Sequence, residues 1–441
     1  MNVVAKADLH YWLNERVHLL RGPEAGAIYD LRNRKLYRID LDACSLLEGL
    51  PASLSQQQVV RWDDFLQQAL ARQLLSCGPT PPSSAAVSLP AVLNPPRIDQ
   101  VWLELTNQCN QRCRHCYMGH ELGDEPMPVE QVLATLSEIS KSGIKKLYFC
   151  GGEPMMHPQI RQILQSALAG DFEQIVILTN GTKAPLWLEE IVQDPRVILK
   201  IPVFGDHPVH DRFVQLPKSL FIIRRHLARF KKWGADVQLC TTISNYNKDQ
   251  VPFLLAFSHE YGYPIHRAAL FPVGFARDNW SELVEDYSEL LGQCGDSVLD
   301  DQKSVSAGYQ QSGERYPYMK LSGSLSSGHE CNTSLAIQAS GLVTPCLMVR
   351  EERYAFGRIQ TKSLAEMINP DSLDYQRLSR FFSHENNTSC MSCEVRYGCQ
   401  GGGCPVLGMF FDGLDEPDRP PSRPCHYPSN KKVAIPIPQA H

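Results

Sequence analysis

The sequence predicts an α/β protein built around a partial (β/α)6 barrel, with a small α+β domain before it and an irregular cysteine-rich domain after it. Three observations carry this expectation. Short apolar runs alternate with helix-period segments from residue 101 to about 273. A proline-rich stretch, Gly78-Pro-Thr-Pro-Pro-Ser-Ser with further prolines at 90, 95 and 96, separates that alternation from what precedes it. Ten of the fifteen cysteines fall into two groups, Cys109 to Cys116 and Cys331 to Cys425. The expected boundaries are 1–77 for the first domain, 78–97 for the linker and 98–280 for the barrel, followed by a connecting region at 281–330 and the cysteine-rich domain at 331–441.

In the first domain, residues 12–20, 27–31 and 35–39 read as strands, with turns at Gly22-Pro23 and Asn33-Arg34. Segments 40–50 and 55–75 read as two or three helices. The barrel strands are expected at 101–105, 146–149, 174–178, 197–203, 236–242 and 266–271, with helices such as 129–142 and 219–233 between them. Strand–helix repetition of this kind implies a parallel sheet with crossover helices, and six units make about three-quarters of a full barrel. From residue 282 onward regularity fades.

Composition limits the function. A net charge of −5 leaves no basic footprint, so nucleic acid is not expected as the main partner. No run reaches the roughly 18–20 apolar residues of a membrane span, and the start, Met-Asn-Val-Val-Ala-Lys, reaches Asp8 and His10 without a signal-peptide core. The expected location is the cytoplasm, where clustered thiols point to metal or catalysis and not to disulfides. Cys44, Cys77, Cys150, Cys240 and Cys294 are scattered and read as inert thiols.

The first cysteine group, Cys109-x3-Cys113-x2-Cys116, leaves the first barrel strand and enters a loop. Three thiolates can hold three irons of a [4Fe–4S] cube and leave the fourth open to a small chelating molecule. On this segment alone zinc competes, with His115 or His120 as fourth ligand. Gly151-Gly152-Glu153-Pro154 follows the second strand, where paired glycines allow close backbone approach and Glu153 offers a carboxylate to a ligand ammonium. Leu178-Thr179-Asn180-Gly181-Thr182 follows the third. All three motifs lie at the C-terminal ends of parallel strands, where such sheets bind ligands.

Cys109-x3-Cys113-Arg-His115-Cys116 together with Gly151-Gly-Glu-Pro154 resembles the radical S-adenosylmethionine (SAM) superfamily over residues 100–275. The resemblance implies that the open iron binds the methionyl amine and carboxylate of SAM. It places Gly151, Gly152, Glu153 and Pro154 near the SAM amino group and His115 near the adenine, with Thr179 and Asn180 also at the cofactor. The fourth strand departs from the family: Ile201-Pro-Val-Phe-Gly-Asp206 stands where relatives often carry Ser-x-Asp-Gly, so that SAM contact has no counterpart here.

The tail, with Cys331, Cys346, Cys390-x2-Cys393-x5-Cys399-x4-Cys404 and Cys425, resembles the SPASM extension of radical SAM peptide and protein maturases, which holds two auxiliary [4Fe–4S] clusters. By that pattern Cys331, Cys346 and Cys404 serve the nearer cluster, and Cys390, Cys393, Cys399 and Cys425 the outer one, for three clusters in all. The first domain resembles the winged-helix-like peptide-recognition element fused to such maturases, which binds a leader peptide by strand addition.

Together the resemblances imply an enzyme that forms a 5′-deoxyadenosyl radical, abstracts hydrogen from a ribosomal precursor peptide and installs a C–C or C–S cross-link, supplied with electrons by a flavodoxin- or ferredoxin-type donor. Formylglycine formation competes, but relatives of that kind carry an acidic residue where this chain has Leu347. Peptide splicing or epimerisation stays within the first class, and an iron–sulfur electron carrier or zinc scaffold is the non-enzymatic reading. Tyr117, His157, Asp206 and Arg358 are pocket candidates for which structural roles are expected.

Overall fold

A computed structural model describes residues 9–81, 98–296, 319–324 and 334–376, except 24, 34, 124 and 374. In the N-terminal domain β1 (His10–Leu13), β2 (Val17–Arg21), β3 (Gly26–Asp30) and β4 (Lys35–Ile39) precede α1 (Leu41–Glu48), β5 (Ala52–Ser53), α2 (Gln56–Arg61), α3 (Asp63–Ala71) and β6 (Leu75–Gly78). The helices start where side chains cap them. Asp40 accepts the Ala43 N–H at the head of α1, and Ser55 and Gln58 form a capping box at α2. Tyr11, Ile28, Tyr37, Ile39, Leu47, Phe65 and Leu66 close the core.

One expectation is corrected here: the strand read at 12–20 is two strands. Arg16 has φ 61°, outside the extended range, and the chain reverses around Asn14–Arg16. As a result β1 joins the separate sheet β5–β1–β6, while β2, β3 and β4 form an antiparallel meander. Strand β6 also carries the domain through Gly78, one residue into the expected linker.

The barrel strands are β7 (Gln100–Glu104), β8 (Lys146–Cys150), β9 (Gln174–Leu178), β10 (Val197–Pro202), β11 (Asp236–Thr242) and β12 (Ile265–Ala268), all parallel and in sequence order. Helices α4 (Val129–Lys141), α5 (Ile160–Ala169), α6 (Leu188–Val192), α7 (His207–Val214), α8 (Ser219–Trp233) and α9 (Val251–Tyr261) connect them. Strand side chains alternate. Val101, Leu103, Leu147, Phe149, Ile175 and Ile177 pack with Val132, Leu136 and Ile139 of α4 and Ile163 and Leu164 of α5 in one continuous core. Trp102 and Tyr148 alternate with that set and stack on each other at 4.3 Å.

Beyond β12 the short strand β13 (Gly295–Asp296) pairs antiparallel. Strand β14 (Met319–Ser324) leaves the barrel and pairs antiparallel with β4 of the N-terminal domain. The cysteine-rich region opens with β15 (Ser334–Ile337), β16 (Leu342–Thr344) and β17 (Gly357–Arg358). These continue the barrel sheet past β7, β15 in parallel, for ten strands among the described residues. Among the described residues no helix is long and apolar enough to cross a membrane.

Candidate active site

The site is assembled from the loops that leave the C-terminal ends of β7, β8 and β9. The cysteine loop is fixed at both ends by main-chain hydrogen bonds. Arg112 and Arg114 N–H groups donate to Val214 and Phe213 carbonyls at 3.1 Å, and Phe275 N–H donates to Cys116 O at 2.9 Å. That last contact needs glycine. Gly274 has φ 57°, and a Cβ there would stand 2.4 Å from the Cys116 and Tyr117 carbonyl oxygens. The sequence reading missed Gly274; its only signal was a glycine two residues after Pro272, past the last barrel strand.

Within the loop, a Cys116 charge would raise both Cys109 and Cys113, and a Cys109 charge would raise Cys113. Burial pushes the Cys109 thiol up to about 11 and raises Cys113 and Cys116, while N–H groups of Gln111, Met118 and Gly119 aimed at Cys109 and Cys116 work the other way. The free thiols are therefore protonated at neutral pH, and a metal that binds them must displace protons.

The Gly-Gly-Glu-Pro loop lies flat on the base of the cysteine loop. Gly152 N–H donates to Thr106 O at 2.8 Å and Glu153 N–H to Gln108 O at 2.7 Å. A Cβ on Gly151 would meet Thr106 O at 2.5 Å, and one on Gly152 would meet Gln108 O at 2.2 Å. The two glycines thus serve close approach of backbone to backbone.

Glu153 corrects an expectation. Its carboxylate is fully buried and accepts from Thr179 Oγ1 at 2.7 Å, Asn180 N–H at 2.7 Å and Met155 N–H at 3.0 Å. Burial raises its pKa, against the lowering by those three donors. The carboxylate is turned into the protein, where it ties the β8 loop to the β9 loop, and is not presented to a ligand ammonium. Thr179 and Asn180 are its partners in that tie. Asn180 also donates to Asn110 Oδ1 at 2.8 Å, and Asn110 donates to Thr182 Oγ1 at 2.9 Å, so the β9 loop reaches the cysteine loop as well.

His115 packs edge-on to Phe204 at 5.0 Å and tilted on Phe213 at 4.8 Å, and burial lowers its pKa to about 4. Its Nδ1 is enclosed with no hydrogen-bond partner among the described residues, as is Asn107 Oδ1 on the same loop. Three thiols on one loop and two orphaned polar atoms beside them fit a cluster with a polar small-molecule ligand. Cys109, Cys113 and Cys116 would hold the cluster, and His115 and Asn107 have polar atoms to spare for the ligand.

At the end of β7, Glu104 is fully buried and accepts from Arg350 at 2.7 and 3.1 Å, from Tyr117 Oη at 3.0 Å and from Ala339 N–H at 3.3 Å. Arg350 also reaches Glu121 at 2.6 and 2.7 Å and lies 5.4 Å from the Tyr117 ring centroid. Burial opposes the Arg350 charge, but Glu104 and the two sets of hydrogen bonds outweigh it and raise its pKa. This network anchors the residues after Cys346 to the cysteine loop. Cys331, Cys390, Cys393, Cys399, Cys404 and Cys425 lie outside the described residues, and Cys346 is half-buried just beyond β16.

The other pocket candidates have structural roles. Tyr117 serves Glu104, His157 Nε2 meets Met127 O at 2.8 Å, Asp206 caps α7 through Val209 N–H at 3.1 Å, and Arg358 pairs with Glu352 at 3.3 Å.

Residues 103–257 match the radical SAM superfamily, and residues 330–394 match the SPASM iron–sulfur cluster-binding domain. The chain carries a radical SAM domain followed by a SPASM-type extension. SAM and iron–sulfur clusters are its cofactors. Among curated relatives, GTP 3′,8-cyclase of Clostridium perfringens strain SM101 is 25% identical over 40% of the chain, which spans 57% of that relative. AdoMet-dependent heme synthase of Methanosarcina barkeri is 26% identical over 46% of the chain, which spans 58% of it. Both likenesses therefore concern little more than half of the relative.

Among solved structures, Streptococcus suis SuiB bound to S-adenosylmethionine superposes with a TM-score of 0.55 at 13% identity, over 92% of this chain and 98% of that one. SuiB bound to its precursor peptide SuiA gives 0.52 at 12% identity with the same coverage. The protein anSMEcpe with bound AdoMet and the Cp18Cys peptide gives 0.51 at 14% identity, over 73% of this radical SAM enzyme and 92% of that chain. The likeness in fold to SuiB thus takes in most of this chain.

Proposed function

We propose that this radical SAM enzyme is a peptide maturase that cross-links a ribosomal precursor peptide through a C–C or C–S bond. One observation carries the reading: the fold correspondence with SuiB, a protein solved with its precursor peptide, covers 92% of the chain and includes the N-terminal domain. That domain has a three-stranded meander, β2–β3–β4, of the kind to which an extended leader peptide can be added.

In this reading Cys109, Cys113 and Cys116 hold the first [4Fe–4S] cluster, with SAM set by the Gly151–Gly152 backbone and His115. Cys331, Cys346 and Cys404, and then Cys390, Cys393, Cys399 and Cys425, hold two further clusters. When bound, the reduced cluster and SAM supply a 5′-deoxyadenosyl radical for hydrogen abstraction, with the auxiliary clusters as sink for the electron released on bond closure. The protein's own contribution is position and exclusion. Glu153 fixes the relation of two loops, Arg350 holds the SPASM region against the barrel, and Trp102, Tyr148 and Leu347 wall the interior with apolar surface. A flavodoxin- or ferredoxin-type protein is the proposed electron donor.

Formylglycine formation is disfavoured by one specific residue. Leu347 follows Cys346 and is buried against Cys150 and Ala336, so no carboxylate stands there. The test is anaerobic incubation of the reconstituted protein with SAM, reductant and peptides encoded by neighbouring reading frames, read by mass spectrometry. A product lighter by two hydrogen atoms supports the reading; turnover that leaves every such peptide unchanged contradicts it.

A further inference from the structure

Strand β14 sits where an added strand would go. It runs antiparallel to β4 along the whole of that strand, with Met319 opposite Ile39, Lys320 opposite Arg38, Leu321 opposite Tyr37, Gly323 opposite Leu36 and Ser324 opposite Lys35. The four-stranded order β14–β4–β3–β2 therefore contains three strands of the N-terminal domain and one from the far side of the barrel. The 279 residues between Ile39 and Met319 include the complete barrel.

We infer that Met319–Ser324 is an internal stand-in for the leader peptide, holding the β4 edge until an extended peptide displaces it. The inference rests on the peptide-maturase reading and adds to it the site, the direction and the competitor. The occupied edge is itself the argument for accessibility. An antiparallel strand already fits β4, so its outward N–H and C=O groups are placed for one.

The occupant is a weak strand by composition. Met-Lys-Leu-Ser-Gly-Ser carries two serines and a glycine, and its register is broken by a bulge between Leu321 and Gly323. Strand β4, Lys-Leu-Tyr-Arg-Ile, has the aromatic and branched residues that favour pairing. A peptide with a regular extended stretch makes the same main-chain bonds without the bulge. Its disadvantage is only that β14 is tethered and enjoys a high effective concentration.

Displacement also has a route to the active site. β14 lies between β13, which ends at Asp296, and β15, which starts at Ser334 and pairs with β7. Only nine residues separate Ser324 from Ser334 along the chain, so β14 is joined closely to the first strand of the SPASM region. Peptide binding at β4 and the approach to the site are thereby linked through one strand.

The experiment uses the full chain and a fluorescein-labelled synthetic peptide copying residues 316–327, followed by polarisation. In the K320P/L321P variant two neighbouring positions lose their N–H, so at least one ladder bond of β14 is lost. The labelled peptide should bind this variant saturably and at least tenfold more tightly than the unaltered chain. Equal binding to the two, or none to either, overturns the inference. Hydrogen exchange on the unaltered chain gives a second reading free of any folding defect. Amides of β4 that face β14 should exchange at least tenfold faster than those facing β3, and equal protection overturns the inference. Neither measurement involves SAM or iron. Exchange at β4 in a chain that modifies no peptide would retain the gate and remove the maturase, and peptide modification with a fixed β14 would do the reverse.

Discussion

Glu153 shows how one residue of a motif can have its expected role replaced by geometry. Its carboxylate closes three hydrogen bonds inside the protein, so Glu153→Gln, which keeps the shape and loses one acceptor, should loosen the joint between the β8 and β9 loops. The expected result is a roughly tenfold weaker SAM affinity by calorimetry with iron content unchanged, equivalent to about 1.4 kcal/mol. Unchanged affinity would contradict the assigned role. His210 offers a pH test. It is buried, with Nδ1 accepting from Phe204 N–H at 3.2 Å and Nε2 3.3 Å from Ser219 Oγ. Burial holds its pKa near about 4 against an ordinary 6.5, with Asp211 opposing and His207 assisting. Because the folded pKa is the lower one, the unfolded chain takes up the proton first. The stability that His210 contributes is complete above pH 6.5 and is lost as pH falls toward 4, by on the order of 3 kcal/mol. Urea unfolding at pH 4.5 and 7 should show this slope flattened in His210→Asn. The grouping of Cys109, Cys113 and Cys116 on one loop and the close approach of the paired glycines were legible because short spacing encodes them. The destination of the Glu153 carboxylate was not, since its partners are set by how two loops pack.

At the scale of elements, the parallel strands were legible because their apolar runs are bounded by helical periods and turn residues. The break between β1 and β2 was hidden. Apolar residues lie on both sides of it, and the turn at Arg16 uses a positive φ without glycine to mark it. The pairing of β15 with β7 and of β14 with β4 was hidden for another reason, namely that edge pairing depends on a distant partner. Arg350 and Glu104 are 246 residues apart, and no local pattern announces the pair. Its energetics give a direct prediction. Arg350→Met leaves the buried Glu104 charge without its ion-pair partner, with only Tyr117 and Ala339 still donating to it, and should destabilise the protein by about 3–5 kcal/mol in urea unfolding. The double variant Glu104→Gln/Arg350→Met should recover most of that loss, because the uncompensated charge is gone. A single variant no less stable than the parent would show that the SPASM strands are held by the sheet alone.

Across the whole molecule, the barrel supplies a rigid rim of loops, the N-terminal meander a strand edge, and the residues after Cys346 a strut back to the cysteine loop. The account depends above all on the cysteine loop being a cluster site that activates SAM. Its most direct test is to reconstitute the protein anaerobically with iron and sulfide, add reductant and SAM, and assay bound iron together with 5′-deoxyadenosine. The account predicts about twelve irons and steady 5′-deoxyadenosine formation. In Cys109→Ala/Cys113→Ala/Cys116→Ala it predicts about eight irons and no product. Bound zinc in place of iron, or 5′-deoxyadenosine formed as fast by the triple variant, would contradict it.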